Sequence, residues 1–246
     1  MSLSSQLDAL IAPAPEPARV AFLKGQPYAH RGLHGVSKNG RVLENSPAAF
    51  DAAIKLGHGI ECDVQAAEDG TAFVFHDFEL DRLTTQQGKL VHLRASDIDQ
   101  IDLKDGNGKI PRLRATLVQV AGQVPILIEI KSNNMRVGPL CLSVRRALEG
   151  YTGKAAVMSF NPLVCAWFRK NANHIIRGLV VIFHLSLPHQ TGPEACRSLH
   201  GPSAPQSRKN LQRFMPMNRF MRCRRPDNIQ VACLSLLHNH LTIPPA

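Results

Sequence analysis

The run Gly59-Ile60-Glu61-Cys62-Asp63-Val64 sets two carboxylates into an otherwise apolar segment with strand periodicity. Residues two apart in a strand point to one face and lie about 6 to 7 Å from each other along it. Glu61 and Asp63 therefore share a face, and Ile60, Cys62 and Val64 take the other. Short apolar runs recur at Tyr28–Arg31, Ala72–His76, Ile126–Lys131, Ala155–Phe160 and Ile175–Val181, with helical patterns between them. That alternation predicts an α/β fold whose six strands form a parallel sheet with helical crossovers.

The crossovers carry their own punctuation. Ser46 suits an N-cap, Pro47 the first helical position and Gly57 the stop, and Phe50, Ala53 and Ile54 share one helical face. A second helix is expected over Val137–Leu148, with Leu140, Val144 and Leu148 inward, and a third from Asn161-Pro162 through Leu163, Ala166 and Trp167. Between His76 and Pro111 the chain is polar and irregular, with Gly88, Gly106 and Gly108, and reads as a long functional excursion.

The 246 residues are 44% hydrophobic and 20% charged, which supplies one sizeable core and excludes a disordered chain, a collagen-like repeat or a short stapled peptide. A net charge of +10 favours anionic partners. Cys62, Cys141, Cys165, Cys196, Cys223 and Cys233 are scattered, with no Cys-x-x-Cys pair and no secretory leader, so reduced thiols in a cytoplasmic protein are expected. No stretch approaches the apolar length of a membrane span.

Three segments follow: a Pro/Ala-rich lead-in over 1–26, the alternating body over 27–181 and an atypical segment over 182–246. The last holds eight of the 17 prolines and eight basic residues against Glu194 and Asp227, and only Ile229–Leu237 reads as an ordered apolar segment there.

A third acid stands in Ile126-Leu127-Ile128-Glu129-Ile130-Lys131, where Glu129 and Lys131 share a face within a strongly buried pattern. Buried charges cost several kcal/mol each unless paired or metal-bound. Glu61, Asp63 and Glu129, with no His/Cys cluster beside them, are hard oxygen donors suited to one Mg²⁺ or Ca²⁺ rather than Zn²⁺. The plainer reading ends each acid's strand at the solvent boundary, paired with Arg or Lys. His30 closes the first strand and His76 the third, so two imidazoles that titrate near neutral pH are available as general acid and base. Arg31 suits bidentate phosphate contact, and Gly32 would let the backbone come close to it.

The text Ala29-His30-Arg31-Gly32, Glu44-Asn45-Ser46-Pro47-Ala48-Ala49-Phe50, Gly59–Val64, Asp69-Gly70, Val74-Phe75-His76-Asp77, Leu80–Thr84, Ile110–Leu113 and Ile128–Lys131 resembles the glycerophosphodiester phosphodiesterase family in order and spacing, over about residues 27–181. The resemblance implies a TIM (β/α)₈-type barrel with its site at the C-terminal strand ends. It further implies His30 and His76 as the acid/base pair and Glu61, Asp63 and Glu129 as ligands of one divalent cation. Arg31 and Lys131 would contact the phosphate, and Glu44 and Asn45 would organise the site from behind. The substrate would be a small glycerophosphodiester, cut to glycerol 3-phosphate and an alcohol such as choline or ethanolamine.

After Val181 the chain departs from the family pattern: Arg177-Gly178-Leu179-Val180 is family-like, the Pro/Arg-rich sequence beyond is not, and the one Trp, Trp167, lies in an earlier helix. The expected barrel is therefore incomplete or irregular after the sixth strand, as a reading-frame change or an alternative C-terminal segment would make it. Exposed sheet edges would then lower stability unless the tail or a second subunit covers them. Rival readings are a lysophospholipase D-like or other phosphodiesterase on the same barrel, an inactive frame-altered member, and a basic module in which Arg219, Arg222, Arg224 and Arg225 bind an anionic surface. No aromatic-interleaved motif accompanies those arginines, so nucleic acid is not an expected partner.

Overall fold

The computed structural model describes residues 17–37 and 40–180. The segment 182–246, most of the lead-in, Cys196, Cys223, Cys233 and the arginine group near 222 lie outside these residues. In chain order the main elements are β1 (Tyr28–Ala29), β2 (Gly35–Ser37), β3 (Gly40–Val42), α1 (Pro47–Lys55), β4 (Gly59–Ala66) and β5 (Ala72–Val74). They continue as α2 (Leu113–Val120), β6 (Ile126–Ile130), α3 (Gly138–Leu148), β7 (Ala155–Ser159), α4 (Pro162–Asn171) and β8 (Ile176–Leu179).

Strands β1, β4, β6, β7 and β8 lie side by side in that order, all parallel, which is the run of consecutive staves of a (β/α) barrel. The register sets Asp63 opposite Glu129 and Glu61 opposite Leu127. One face of the sheet is the helix-covered core. Ile60, Cys62, Val64, Ile126, Ile128 and Ile130 meet Phe50 and Ala53 of α1, Leu113 and Leu117 of α2, Val144 of α3 and Phe168 of α4. Each such fully buried large side chain contributes roughly 1.5 to 3 kcal/mol. The opposite face carries Leu127, Ala156 and Met158 against Phe22, Leu23 and Tyr28, so the segment before β1 packs on the sheet's other side.

The helices form where their caps allow. Ser46 Oγ accepts the Ala49 N–H at 3.2 Å and itself donates to the Leu43 carbonyl at 2.7 Å, with Pro47 opening the helix. The Asn161 side chain caps α4 in the same way, accepting from the Leu163 N–H at 3.0 Å.

The structure corrects one sequence expectation and adds to two others. The run expected as a parallel strand over Ala72–His76 is the shorter β5, which pairs antiparallel with β4 (Val64 opposite Val74), so the parallel sheet has five described strands rather than six. The polar excursion folds over an apolar cluster in which its Leu80, Leu83, Leu90, Ile98, Leu103 and Ile110 pack with Phe73 and Phe75, all buried. Spacing hides this because its apolar residues sit at irregular intervals in turns and one-turn helices, where no period of 2 or 3.6 develops. Helix α2 and the β2–β3 hairpin add to the expected elements.

The described cysteines Cys62, Cys141 and Cys165 are buried free thiols. No helix among the described residues is long and apolar enough to cross a membrane.

Candidate active site

Glu61, Asp63 and Glu129 converge. One oxygen from each lies within 4.8 Å of the others, and all three residues are buried. Alternation along β4 sends Glu61 and Asp63 off the helix-covered face, and the parallel register brings Glu129 beside Asp63. Glu61 Oε2 accepts the Arg31 backbone N–H at 3.0 Å. Asp63 Oδ2 accepts from Asn45 Nδ2 at 2.9 Å, while the Asp63 N–H donates to Asn45 Oδ1 at 3.3 Å. Lys131 Nζ stands 3.4 Å from Glu129 and 3.6 Å from Asp63.

Burial beside other carboxylates disfavours ionisation of Glu61 and Glu129. Burial, then Asp63 and Glu129, push the Glu61 carboxyl well above the usual carboxylate range. Burial and Asp63 raise Glu129, against the opposing pull of Lys131 and His76. A divalent cation relieves both costs, and an all-carboxylate donor set is what hard Mg²⁺ and Ca²⁺ prefer. The residues present therefore fit such an ion.

His30 and Arg31, expected at the end of the first strand, sit instead in the turn after β1. His30 Nε2 is 3.9 Å from Glu61 Oε2, and burial together with Arg31 lowers its pKa to about 4, so the imidazole is neutral at pH 7. Arg31 Nη1 donates to Glu44 Oε1 at 2.8 Å. Its Nε lies 3.3 Å from Asp63 Oδ2 without hydrogen-bond alignment and, among the described residues, has no hydrogen-bond partner. Gly32 has φ +77°, and a Cβ there would meet Ala49 Cβ at 2.8 Å and Phe50 Cδ1 at 2.9 Å. Its lack of a side chain thus serves the close approach of the turn to α1, a different reason from the expected approach to a phosphate.

His76 follows β5, with Nδ1 2.7 Å from Asp77 Oδ1. Arg82 then links the two halves of the site: Nη2 donates to Asp77 Oδ1 at 2.9 Å and to Glu44 Oε1 at 2.6 Å. Burial alone would raise Glu44, but the hydrogen bond from Arg82 and the charge of Arg31 outweigh it and hold the carboxyl at about 2. Asp77 is likewise held below its usual range, as hydrogen bonds from His76 and Arg82 overcome burial. A cleft of about 770 Å³ opens beside His76, Asp77 and Lys131, walled by Gln65, Phe78 and Arg136.

Sequence reasoning did not single out Asp77, Arg82 or Gln65. Asp77 and Arg82 stood in the quoted text, but their partnership depends on how the excursion folds back over Glu44. For Gln65 the available signal was its parity with Glu61 and Asp63 on β4.

Residues 30–231 match the profile of the glycerophosphoryl diester phosphodiesterase family, a stretch that runs on past residue 181, where the resemblance was expected to stop. A glycerophosphodiester phosphodiesterase of Caldanaerobacter subterraneus subsp. tengcongensis is 34% identical over 163 residues, 62% of this chain and 65% of that protein. The chain thus covers slightly less than two-thirds of that relative's length. A phosphodiesterase of Oleispira antarctica, solved with the product sn-glycerol-3-phosphate, shares the fold with a TM-score of 0.59 at 22% identity, over 65% of this chain and 67% of that one. A glycerophosphodiester phosphodiesterase of Agrobacterium tumefaciens aligns with a TM-score of 0.52 at 29% identity, over 62% and 65%. With its profile match spanning most of its length and its sheet shared with solved members, the chain belongs to the glycerophosphoryl diester phosphodiesterase family.

Proposed function

We propose that this chain hydrolyses small glycerophosphodiesters to glycerol 3-phosphate and a free alcohol, using one divalent cation, Mg²⁺ or Ca²⁺, and an imidazole pair. The observation that carries this reading is the convergence of three buried carboxylates from two strands, with His30 3.9 Å from one of them. The named activity of the Caldanaerobacter relative supports the same substrate class.

Glu61, Asp63 and Glu129 would hold the cation, which supplies Lewis-acid polarisation of the phosphodiester and neutralises charge developing on it. Arg31, whose buried Nε has no hydrogen-bond partner among the described residues, and Lys131 would hold the phosphate oxygens. His30, neutral at pH 7, has a free lone pair to take a proton from the attacking hydroxyl. That hydroxyl belongs to water or to a neighbouring group of the substrate; the latter would first give a cyclic phosphate, whose ring P–O bond water then opens to leave glycerol 3-phosphate. As the new P–O bond forms, the bond to the departing alcohol breaks and His76 gives that oxygen its proton. Asp77, against His76 Nδ1, would fix the ring orientation. Glu44 and Asn45 hold Arg31 and Asp63 in place.

The test is release of glycerol 3-phosphate from glycerophosphocholine with and without EDTA, comparing wild type with His30→Ala, His76→Ala and Glu61→Gln. Loss of activity with EDTA and at least a hundredfold loss in each histidine variant is the expected outcome, since a proton-transfer group typically contributes about 10² to 10⁴. Salt-sensitive anion binding with no hydrolysis, unchanged in Glu61→Gln, would instead favour the basic binding module.

A further inference from the structure

Strand β4 alternates Glu61, Asp63 and Gln65 on one face. The first two are carboxylates of the cluster. The third is an amide, 3% exposed, and its Nε2 donates to three successive backbone carbonyls: Phe75 at 2.9 Å, His76 at 3.0 Å and Asp77 at 2.5 Å. Two N–H bonds serve three acceptors, so at least one hydrogen is shared. These carbonyls lie just past Val74, where β5 ends; the last rung is the Phe75 N–H donating to the Asp63 carbonyl at 3.0 Å.

A loop leaving a sheet carries backbone acceptors that must be satisfied if the loop is to hold one shape. Asp77 meets the His76 ring at Nδ1 and is itself held by Arg82, which also reaches Glu44, but these are side-chain links made from within or across the excursion. Gln65 ties the backbone of the same three residues to the strand that bears Glu61 and Asp63. The geometry points to Gln65 as a positioning residue that fixes the His76 loop against the carboxylate cluster, an inference that rests on the proposed phosphodiesterase reading. It touches no reacting atom. Its effect passes through the main chain of residues 75–77, and a displacement of about 1 Å in such a group can cost roughly a hundredfold in rate.

The test uses the full chain, with Gln65→Met, which removes the donors at similar length, and Gln65→Glu, which keeps the shape and presents a carboxylate to the carbonyls. Expected in both are a kcat lowered about ten- to hundredfold with KM within about twofold, and in Gln65→Met a Mg²⁺-induced rise in melting temperature equal to wild type. The His76 imidazole proton resonance, single in wild type, should broaden or split in both variants. In wild type the Gln65 side-chain amide protons should exchange slowly with solvent. Rapid exchange there, or an unchanged His76 resonance with intact kcat in a folded variant, would overturn the inference. A merely structural role would lower the melting temperature without touching that resonance or the kcat. Activity retained in His76→Ala would sink the phosphodiesterase reading instead, and the amide exchange and His76 spectrum would still decide whether Gln65 holds the loop.

Discussion

Arg31 and Asn45 are both left-handed, with φ of 58° and 54°, and the Asn45 N–H donates to the Arg31 carbonyl at 2.8 Å. Residues other than glycine adopt this conformation at a cost, and Asn bears it more easily than Arg. Each turns a donor toward one carboxylate of the cluster: the Arg31 N–H toward Glu61 and Asn45 Nδ2 toward Asp63. Replacing Asn45 with Ala should destabilise the metal-free chain by about 1.5 to 3 kcal/mol, the range for hydrogen bonds to a charged partner. Urea unfolding measures this, and a change below about 0.5 kcal/mol would show that the clamp is idle. Glu44 gives a pH-dependent counterpart. Its carboxyl is held at about 2, against about 4.3 in an unfolded chain, so the folded state binds fewer protons between those values. The resulting stability is fully present above about pH 4.3 and disappears as pH falls through about 2. A Glu44→Gln variant should therefore lose less stability over that window than wild type in acid titration followed by circular dichroism.

The carboxylates were legible because a strand's twofold alternation is local, and Glu61, Asp63 and Glu129 each break an apolar run. The links from Arg82 to Asp77 and Glu44 were not legible. They join positions 38 and five residues apart through a loop whose shape no periodicity encodes.

Among the elements, α1 shows how much a short punctuation can specify. Ser46-Pro47 at one end and Gly57 beyond the other marked it in the sequence, and the helix runs Pro47–Lys55. Ser46 is fully buried and its hydroxyl both accepts from Ala49 and donates to Leu43, so Ser46→Ala removes two bonds at once. We expect a loss of about 1 to 2 kcal/mol, at or above the usual value for an N-cap, read as a shift of the urea midpoint at constant slope. A loss no larger than at an exposed serine such as Ser96 would contradict the capping account. The direction of β5 lay beyond local reading. Its three residues look like any buried strand, and only their pairing of Val64 with Val74 makes it an antiparallel partner of β4. The consequence reaches the site, because the antiparallel return sets His76 beside the same end of β4 that bears Gln65.

For the whole molecule, five parallel strands bring residues from β4, β6 and four loops to one end of the sheet, as in other α/β barrels. The cluster they build is costly when empty of cation. With Glu61 and Glu129 both raised, the folded chain binds more protons than the unfolded one above about pH 4.3, so stability falls as pH climbs from there through the raised values. A bound divalent ion reverses that penalty, and its affinity grows as the carboxylates ionise. At a hundred times the dissociation constant such an ion stabilises by about 2.7 kcal/mol. That corresponds to a rise of roughly 5 to 10 °C in a chain of this size. The increment should be larger at pH 8 than at pH 5 in thermal unfolding, and an increment independent of pH would mean that the ion binds elsewhere.

The most direct measurement is calorimetric titration of the apo chain with Mg²⁺ and Ca²⁺, beside Glu61→Gln and Glu129→Gln. One ion per chain in wild type, with binding lost in both variants, is the expected result, because the two carboxylates come from different strands and meet only at the cluster. Binding that survives either substitution, or no binding by wild type, would contradict a shared metal site and with it the proposed hydrolysis.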